Sequence, residues 1–138
     1  MAVIVELIKQ ETGGTLSFGN FELDTKTKLD GFDYNGDLYK IKTYKEITKL
    51  EKNGTFVYES VPGTAVHDFD VADDTIMFQV EGKEDSQITL ELESSKEYEI
   101  TIDGNHVGTM KTNVGGKLNL SVELNPGQTV EIRIVKVS

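Results

Sequence analysis

The densest group of chemically able side chains in this sequence is His67-Asp68-Phe69-Asp70-Val71-Ala72-Asp73-Asp74. Oxygen-rich loops of this kind hold hard cations, so Asp68, Asp70, Asp73 and Asp74 are the residues a calcium-like ion would choose. The plainer reading is a solvated acidic turn, and no metal or other cofactor is expected. Residues 31–42 offer a second oxygen set. There Asp33, Asn35, Gly36 and Asp37 fall on the third, fifth, sixth and seventh positions of an EF-hand-type loop. Gly31 then takes the first ligand position and Lys42 the twelfth, where a carboxylate is needed and a lysine repels the cation. The stretch reads instead as a hairpin turn with acids beside it.

Glycan hydrolysis by acid–base chemistry needs two carboxyl groups at a set separation across a cleft, one with a raised pKa. Acids are plentiful here, but nothing in their spacing selects a pair. Nucleophilic catalysis needs a serine or threonine beside a base, and His67 and His106 are the two histidines. No Gly-x-Ser-x-Gly elbow occurs. His106 follows Asp103-Gly104-Asn105 and reads as an exposed turn residue, and His67, within a short strand, reads as a boundary residue rather than a base. Gly13-Gly14 and Gly115-Gly116 lack the lysine and the strand-to-helix setting of a phosphate loop. No catalytic residue is assigned, and an enzyme is not expected. Aromatic side chains remain. Phe32, Tyr34, Tyr39, Tyr44, Phe56 and Tyr58 gather in the first half of a chain without tryptophan. On a surface they would stack on sugar rings, while core packing and cross-strand pairing account for them with fewer assumptions.

The elements that must position these groups are strands. Residues 87–93, 97–103, 117–124 and 129–137 each alternate apolar and polar side chains, the period-two signature of a half-buried strand. Between them lie Ser94-Ser95, Asp103-Gly104-Asn105, Gly115-Gly116 and Asn125-Pro126-Gly127, all residues that suit turns. These four runs predict an antiparallel meander or one half of a sandwich, with residues 129–137 paired inside a sheet. Val135 and Val137 fall on the face opposite Ile132 and Ile134, so that strand carries a bulge or is covered on both faces. Earlier in the chain, Asn35-Gly36 and Asn53-Gly54 predict two-residue hairpins. Residues 3–8 are apolar on both faces and, being rich in Val and Ile, favour a strand over a short helix. Residues 15–23 read as two short strands or one bulged strand, 24–30 as a polar link, and 44–52 as extended. Pro62-Gly63 turns the chain into a strand over 64–71, and residues 75–81 alternate cleanly. About ten to twelve short strands with no helix-period run predict an all-β fold of two packed antiparallel sheets, a β-sandwich or jelly-roll type.

Composition limits the partners. At 138 residues the chain is expected to be one domain, with a subdivision near residues 82–86 as the alternative. An apolar content of 37% is low, but its regular patterning suits a thin two-layer core. The formal net charge is −10, from 24 acidic and 14 basic residues, which repels phosphate backbones and anionic membranes. Neither nucleic acid nor membrane is expected as a partner. There is no cysteine, which removes disulfides and thiolate chemistry together. Residues 1–8 lack a basic start and meet Glu6 early, so they read as neither a secretory signal nor a span, and a bacterial cytoplasmic protein is expected, with a mature fragment that has lost its signal as the alternative.

Two resemblances accompany these readings. Residues 98–104, Val107-Gly108, Thr112-Asn113, residues 115–118 and 121–124 are similar to the immunoglobulin-like accessory domains that close many carbohydrate-active enzymes. That likeness implies a non-catalytic packing module. Over nearly its full length the chain resembles a group of small uncharacterised bacterial proteins sometimes labelled "endosialidase". The resemblance is carried by residues 14–19, 35–39, 50–54 and 58–64. Sites for carboxylate sugars cluster arginines, and this chain contains one arginine, Arg133, so the resemblance implies a family without an activity or site residues.

The function expected from all this is a non-catalytic interaction or assembly module. The alternative is a glycan-binding module using the six aromatics, which their exposure in a groove would favour. A carboxylate-dependent glycan hydrolase stands third. A homo-oligomer is expected, with a further protein partner in reserve. Residues 75–80 and 117–124 lack proline and would make poorly guarded sheet edges, and the apolar segment 3–8 would be buried against a second copy.

Overall fold

The structure is a computed structural model that describes residues 3–137. Among them are thirteen strands and no helix, hence no helix long and apolar enough to cross a membrane. One sheet holds β1 (Ile8–Gln10), β2 (Leu16–Phe18), β7 (Ala65–Ala72), β8 (Thr75–Glu81), β13 (Thr129–Lys136), β10 (Glu97–Ile102) and β11 (Asn105–Lys111), in that spatial order. The other holds β12 (Lys117–Val122), β9 (Ser86–Glu91), β6 (Thr55–Val61), β5 (Ile47–Lys52), β4 (Asp37–Tyr44) and β3 (Thr27–Tyr34). All pairings are antiparallel. The two sheets face each other across one layer of side chains, as expected from the alternation. Phe18, Tyr58, Phe69 and Phe78 form its centre, in mostly edge-to-face contacts between 5.3 and 5.9 Å. Ile41, Leu50, Ile88, Leu90, Ile100, Leu118 and Ile132 fill the space around them.

The Asn-Gly hairpins form where the sequence places them. Asn35 and Gly36 have φ of 54° and 85°, and Asn53 and Gly54 have 51° and 82°, the left-handed pair that a tight hairpin needs. The final strand is indeed internal, between β8 and β13's other neighbour β10. Its ladder runs without a register shift, Val135 is half-buried and Val137 lies half exposed beyond the strand end. Neither a bulge nor full two-sided cover is therefore needed there.

Several expectations change. The four C-terminal runs are not neighbours: β9 and β12 belong to the six-stranded sheet, β10 and β13 to the seven-stranded one. Each sheet draws strands from both sides of residues 82–86. Residues 3–7 are not a strand. They bend across Gly19, with Ile4 N donating to Gly19 O at 3.0 Å and Gly19 N to Leu7 O at 2.9 Å. Ile4 and Ile8 are buried within the same chain and Val5 is exposed, so the segment needs no second copy to cover it. Residues 15–23 supply only β2, since the chain turns away at Gly19, whose left-handed φ of 101° no ordinary side chain favours. Half of the supposed polar link is strand, because β3 begins at Thr27 and pairs with Thr43. Residues 75–81 are not an edge, because β7 and β13 flank them. Residues 105–111, unforeseen as a strand, form β11 and pair with β10 through a bulge.

Candidate functional site

The sandwich has one end whose interior is stitched by buried hydroxyls beneath a surface pocket of ≈ 460 Å³ at Lys45, Pro62 and Lys83, and one end that opens into the interior. At the closed end lie the β4–β5 turn, the β6–β7 link around the cis Val61–Pro62 bond, and residues 82–85. Buried hydroxyls tie these pieces together. Thr43 and Thr48 meet through their Oγ1 atoms at 2.8 Å, and Thr48 Oγ1 donates to Thr64 O at 2.8 Å. Thr64 Oγ1 in turn meets Tyr58 Oη at 2.8 Å and Ser60 Oγ at 2.7 Å. Burial pushes the Tyr58 phenol far above its ordinary pKa, against the opposing pull of Thr64 and Ser60. With no solvent access and every hydroxyl engaged, this network holds the fold and does no chemistry.

At the open end the hairpin tips of β3–β4, β5–β6 and β7–β8 surround a groove of ≈ 690 Å³. Tyr34 and Phe56 supply part-exposed aromatic surface above the buried Tyr39 and Phe69, and Asp37, Lys52, Asn53, Asp70 and Glu91 supply polar groups. A smaller apolar recess of ≈ 200 Å³ continues it, sharing Val57, Phe69, Val71 and Glu91 and reaching Tyr98 and Lys136. Each wall is positioned by local chain geometry. Tyr34 and Tyr39 come from the two strands of one Asn-Gly hairpin and pack edge to face at 5.6 Å. Tyr34 Oη donates to Gly14 O at 2.7 Å, fixing the ring to the β1–β2 turn. Leu50 pairs with Tyr58 but Glu51 with Phe56, so Val57 is an extra residue on β6. This bulge moves Phe56 off the buried face and turns it to the rim.

Electrostatics at the rim are acidic with two fixed cations, Lys52 and Lys117. Asn53 Nδ2 donates to Asp37 Oδ1 at 2.9 Å, and Lys52 Nζ lies 3.5 Å from Asp37 Oδ2. The Asn53 bond first, and then Lys52, holds the Asp37 carboxyl below its ordinary pKa against a small opposing desolvation. Burial raises both Tyr34 and Tyr39, helped by Asp70 beside the first and Asp37 beside the second. Lys117 Nζ sits 3.5 Å from the centre of the Phe56 ring and 3.1 Å from Glu91 Oε1, covering one face of that ring.

Of the six aromatics read from the sequence, Tyr34, Tyr39 and Phe56 line the groove. Tyr58 is wholly buried in the core, and Phe32 packs on the core from β3. Tyr44 stands at the closed end, beside Glu46 and 6.0 Å from Lys26 Nζ. The four acids proposed for a metal disperse. Asp68, in a β7 bulge, accepts from Thr15 Oγ1 at 2.7 Å, Asp70 lines the groove, and Asp73 and Asp74 line the recess, with Asp74 3.2 Å from Lys136 Nζ. Among the described residues no group of three His, Asp or Glu side chains could hold an ion. His67 lies within a strand, as read, but is buried and not at a boundary with solvent. It is buried inside β7, its Nε2 3.6 Å from the buried Glu81 Oε1, and neither atom has a hydrogen-bond partner among the described residues. Neither residue lines the groove, so this pair has no reach to a ligand there. His106 is exposed on β11, 3.9 Å from Glu99. Sequence reading missed Phe69, Lys52 and Glu91, which reach the groove only through sheet packing and a bulge.

The outer face of the six-stranded sheet carries the opposite charge. Lys28 pairs with Lys42 and Lys42 with Lys49, so three lysines stand abreast on three strands. Burial, and then the neighbouring Lys26, Lys49, Lys28 and Lys40, pushes the Lys42 pKa below its ordinary value. No protein-family model, curated protein or solved structure matches the chain.

Proposed function

We propose that this chain is a non-catalytic binding module whose open end takes a neutral, hydroxyl-rich ligand of the glycan class. The observation that carries the reading is the groove itself, in which Tyr34, Tyr39 and Phe56 stand beside Asp37, Asn53, Asp70 and Glu91. Aromatic rings offer apolar faces to the C–H surfaces of a sugar, and carboxylates and amides accept and donate hydrogen bonds to its hydroxyls. The acids also select against anionic sugars, and the single arginine, Arg133, lies on β13 and not in the groove. Among the residues lining the groove no histidine stands beside the hydroxyl of Thr55, and Asp37, Asp70 and Glu91 serve as hydrogen-bond acceptors.

Screening on a glycan array, followed by calorimetry on retained glycans, tests the reading. Neutral glycans should bind, and Tyr34→Ala or Asp70→Asn should weaken them about tenfold. Retention of no neutral glycan, or equal binding by both variants, would refute it. A second reading, a protein partner with an acidic surface, is favoured by the lysine row alone. Like charges directly opposite one another destabilise a sheet, and Lys28, Lys42 and Lys49 have no ion-pair partner among the described residues. Pull-down with the native chain and with Lys42→Glu checks it, and identical captures would reject it.

A further inference from the structure

We infer that β12 is the contact edge of a two-fold dimer, pairing antiparallel with β12 of a second copy. The inference is independent of the groove. A sandwich of two open sheets has four edges, and here three carry a device that blocks pairing. β1 is three residues long. β3 breaks its register between Leu29 and Phe32, around Gly31 with φ of 72°. β11 is bulged opposite Ile100 and Thr101. β12 has none of these: Lys117–Val122 pairs with β9 at six consecutive residues, without shift, bulge or proline.

Hydrogen-bond parity shows which groups it offers. Leu92 N donates to Gly116 O at 2.7 Å, one step beyond the Lys117–Glu91 pair. Bonded pairs alternate along an antiparallel ladder, so Leu118, Leu120 and Val122 bond to β9. Asn119 and Ser121 therefore turn their N–H and C=O groups to the free edge, while Asn113 Oδ1 accepts from Lys117 N at 2.9 Å and Asn113 N donates to Lys117 O at 3.4 Å. The same residues set a self-complementary register. With Leu120 opposite Leu120 of the partner copy, Asn119 meets Ser121 and Lys117 meets Glu123, each pair occurring twice. The bonded pair is then Asn119–Ser121, which faces outward and occurs twice, and the only charges brought together, Lys117 and Glu123, are opposite.

The surroundings of this edge fit a second copy. The β9–β10 and β11–β12 links cross between the sheets side by side, with Ser95 N donating to Asn113 O at 3.2 Å and Thr112 N to Lys96 O at 2.9 Å. β11 and β12 therefore bound the same side of the sandwich. That side carries Val107, Met110 and Val114 with 61%, 38% and 85% of their surfaces exposed. Apolar side chains next to an unguarded edge are what an isologous interface covers.

Light scattering across micromolar concentrations, with the full chain, tests the inference. The native protein should show a dimeric mass. Ser121→Pro removes an N–H that points away from β9, so the fold should persist by circular dichroism while the mass falls to that of a monomer. Glu123→Lys sets like charges opposite one another and should raise the dimer dissociation constant by about tenfold without touching the ladder. Should the proline variant fail to fold, Glu123→Lys decides alone. A monomeric native chain, or a dimer indifferent to Glu123→Lys, overturns the proposal.

Discussion

The two ends of the sandwich are made from the same strands and the same turn chemistry, yet one is sealed and the other gapes. At the sealed end the approaching chain segments carry short hydroxyl side chains, Thr43, Thr48, Ser60 and Thr64, and the phenol of Tyr58 reaches them from the core. Small side chains let backbones close to within hydrogen-bond distance, and each of these buried hydroxyls finds a partner. At the open end the tips carry Tyr34, Phe56, Asp70 and Glu91, which are too large or too well hydrated to be drawn into a dry seam. Their bulk holds the sheets apart there. The lesson is that residue size and hydration at the ends, more than the strands, decide where a sandwich leaves room for a ligand.

Substitutions that prise the sealed end should therefore cost far more stability than substitutions in the groove. The largest effect is expected from Gly63→Ala. Its Cβ would run into Tyr44 O, a backbone atom held in the β4–β5 turn, and Gly63 N bonds Lys45 O at 3.0 Å. A loss of about 3 kcal/mol or more in denaturant unfolding is expected. Retention of native stability would show that the end is looser than its hydrogen bonds imply. Next comes Thr64→Val, which strips the partner from both Tyr58 Oη and Ser60 Oγ. Two buried hydroxyls lose a bond, at about 2–4 kcal/mol in the same measurement. A cost below about 1 kcal/mol would mean that the hydroxyls find other partners.

A third test uses pH. Because the folded Tyr58 pKa is raised, the folded state keeps its proton where the unfolded state loses it. The associated stability is complete below the unfolded tyrosine value of about 10 and is lost as pH rises above it. Of the five tyrosines, Tyr58 should ionise only with loss of near-ultraviolet dichroism. Full tyrosinate absorbance from a chain that keeps its dichroism would contradict a sealed end. The smallest effect belongs to the open end. Asp37 has a lowered folded pKa, so its contribution is present above about pH 4 and fades as pH falls through the folded value. Asp37→Asn should leave the melting temperature at pH 7 nearly unchanged and flatten the acid limb of the stability curve. A melting-temperature loss as large as that of Thr64→Val would erase the contrast between the ends.

Part of the groove could be read from the sequence. Consecutive strands of an up-and-down meander put alternate turns at the same end, so Asn35-Gly36 and Asn53-Gly54 had to share one. Tyr34 and Tyr39 flank the first and Phe56 follows the second, which places three aromatics near one another before any coordinates. The rest was out of reach. Strict alternation from the buried Tyr58 puts Phe56 in the core, and only the bulge at Val57 brings it to the rim. Phe69 and Asp70 arrive from the opposite sheet, and Glu91 from a strand more than thirty residues on, through pairings between β6 and β9.

The sequence by itself determined that this chain folds into strands, which face of each is apolar, and where the tight Asn-Gly turns fall. Those features depend on side chains two residues apart and on local φ preferences, so a short window contains them. It did not determine which strands are neighbours. Residues 87–93 and 117–124 look alike to 97–103 and 129–137 in pattern, yet the first two pair within one sheet and the others lie in the second. Nor did it reveal that residues 75–81 are enclosed while 117–122 stand at an edge. Alternation states only that a face is buried. The partner that buries it is chosen by packing and backbone pairing across the whole chain, and only the tertiary structure makes that choice.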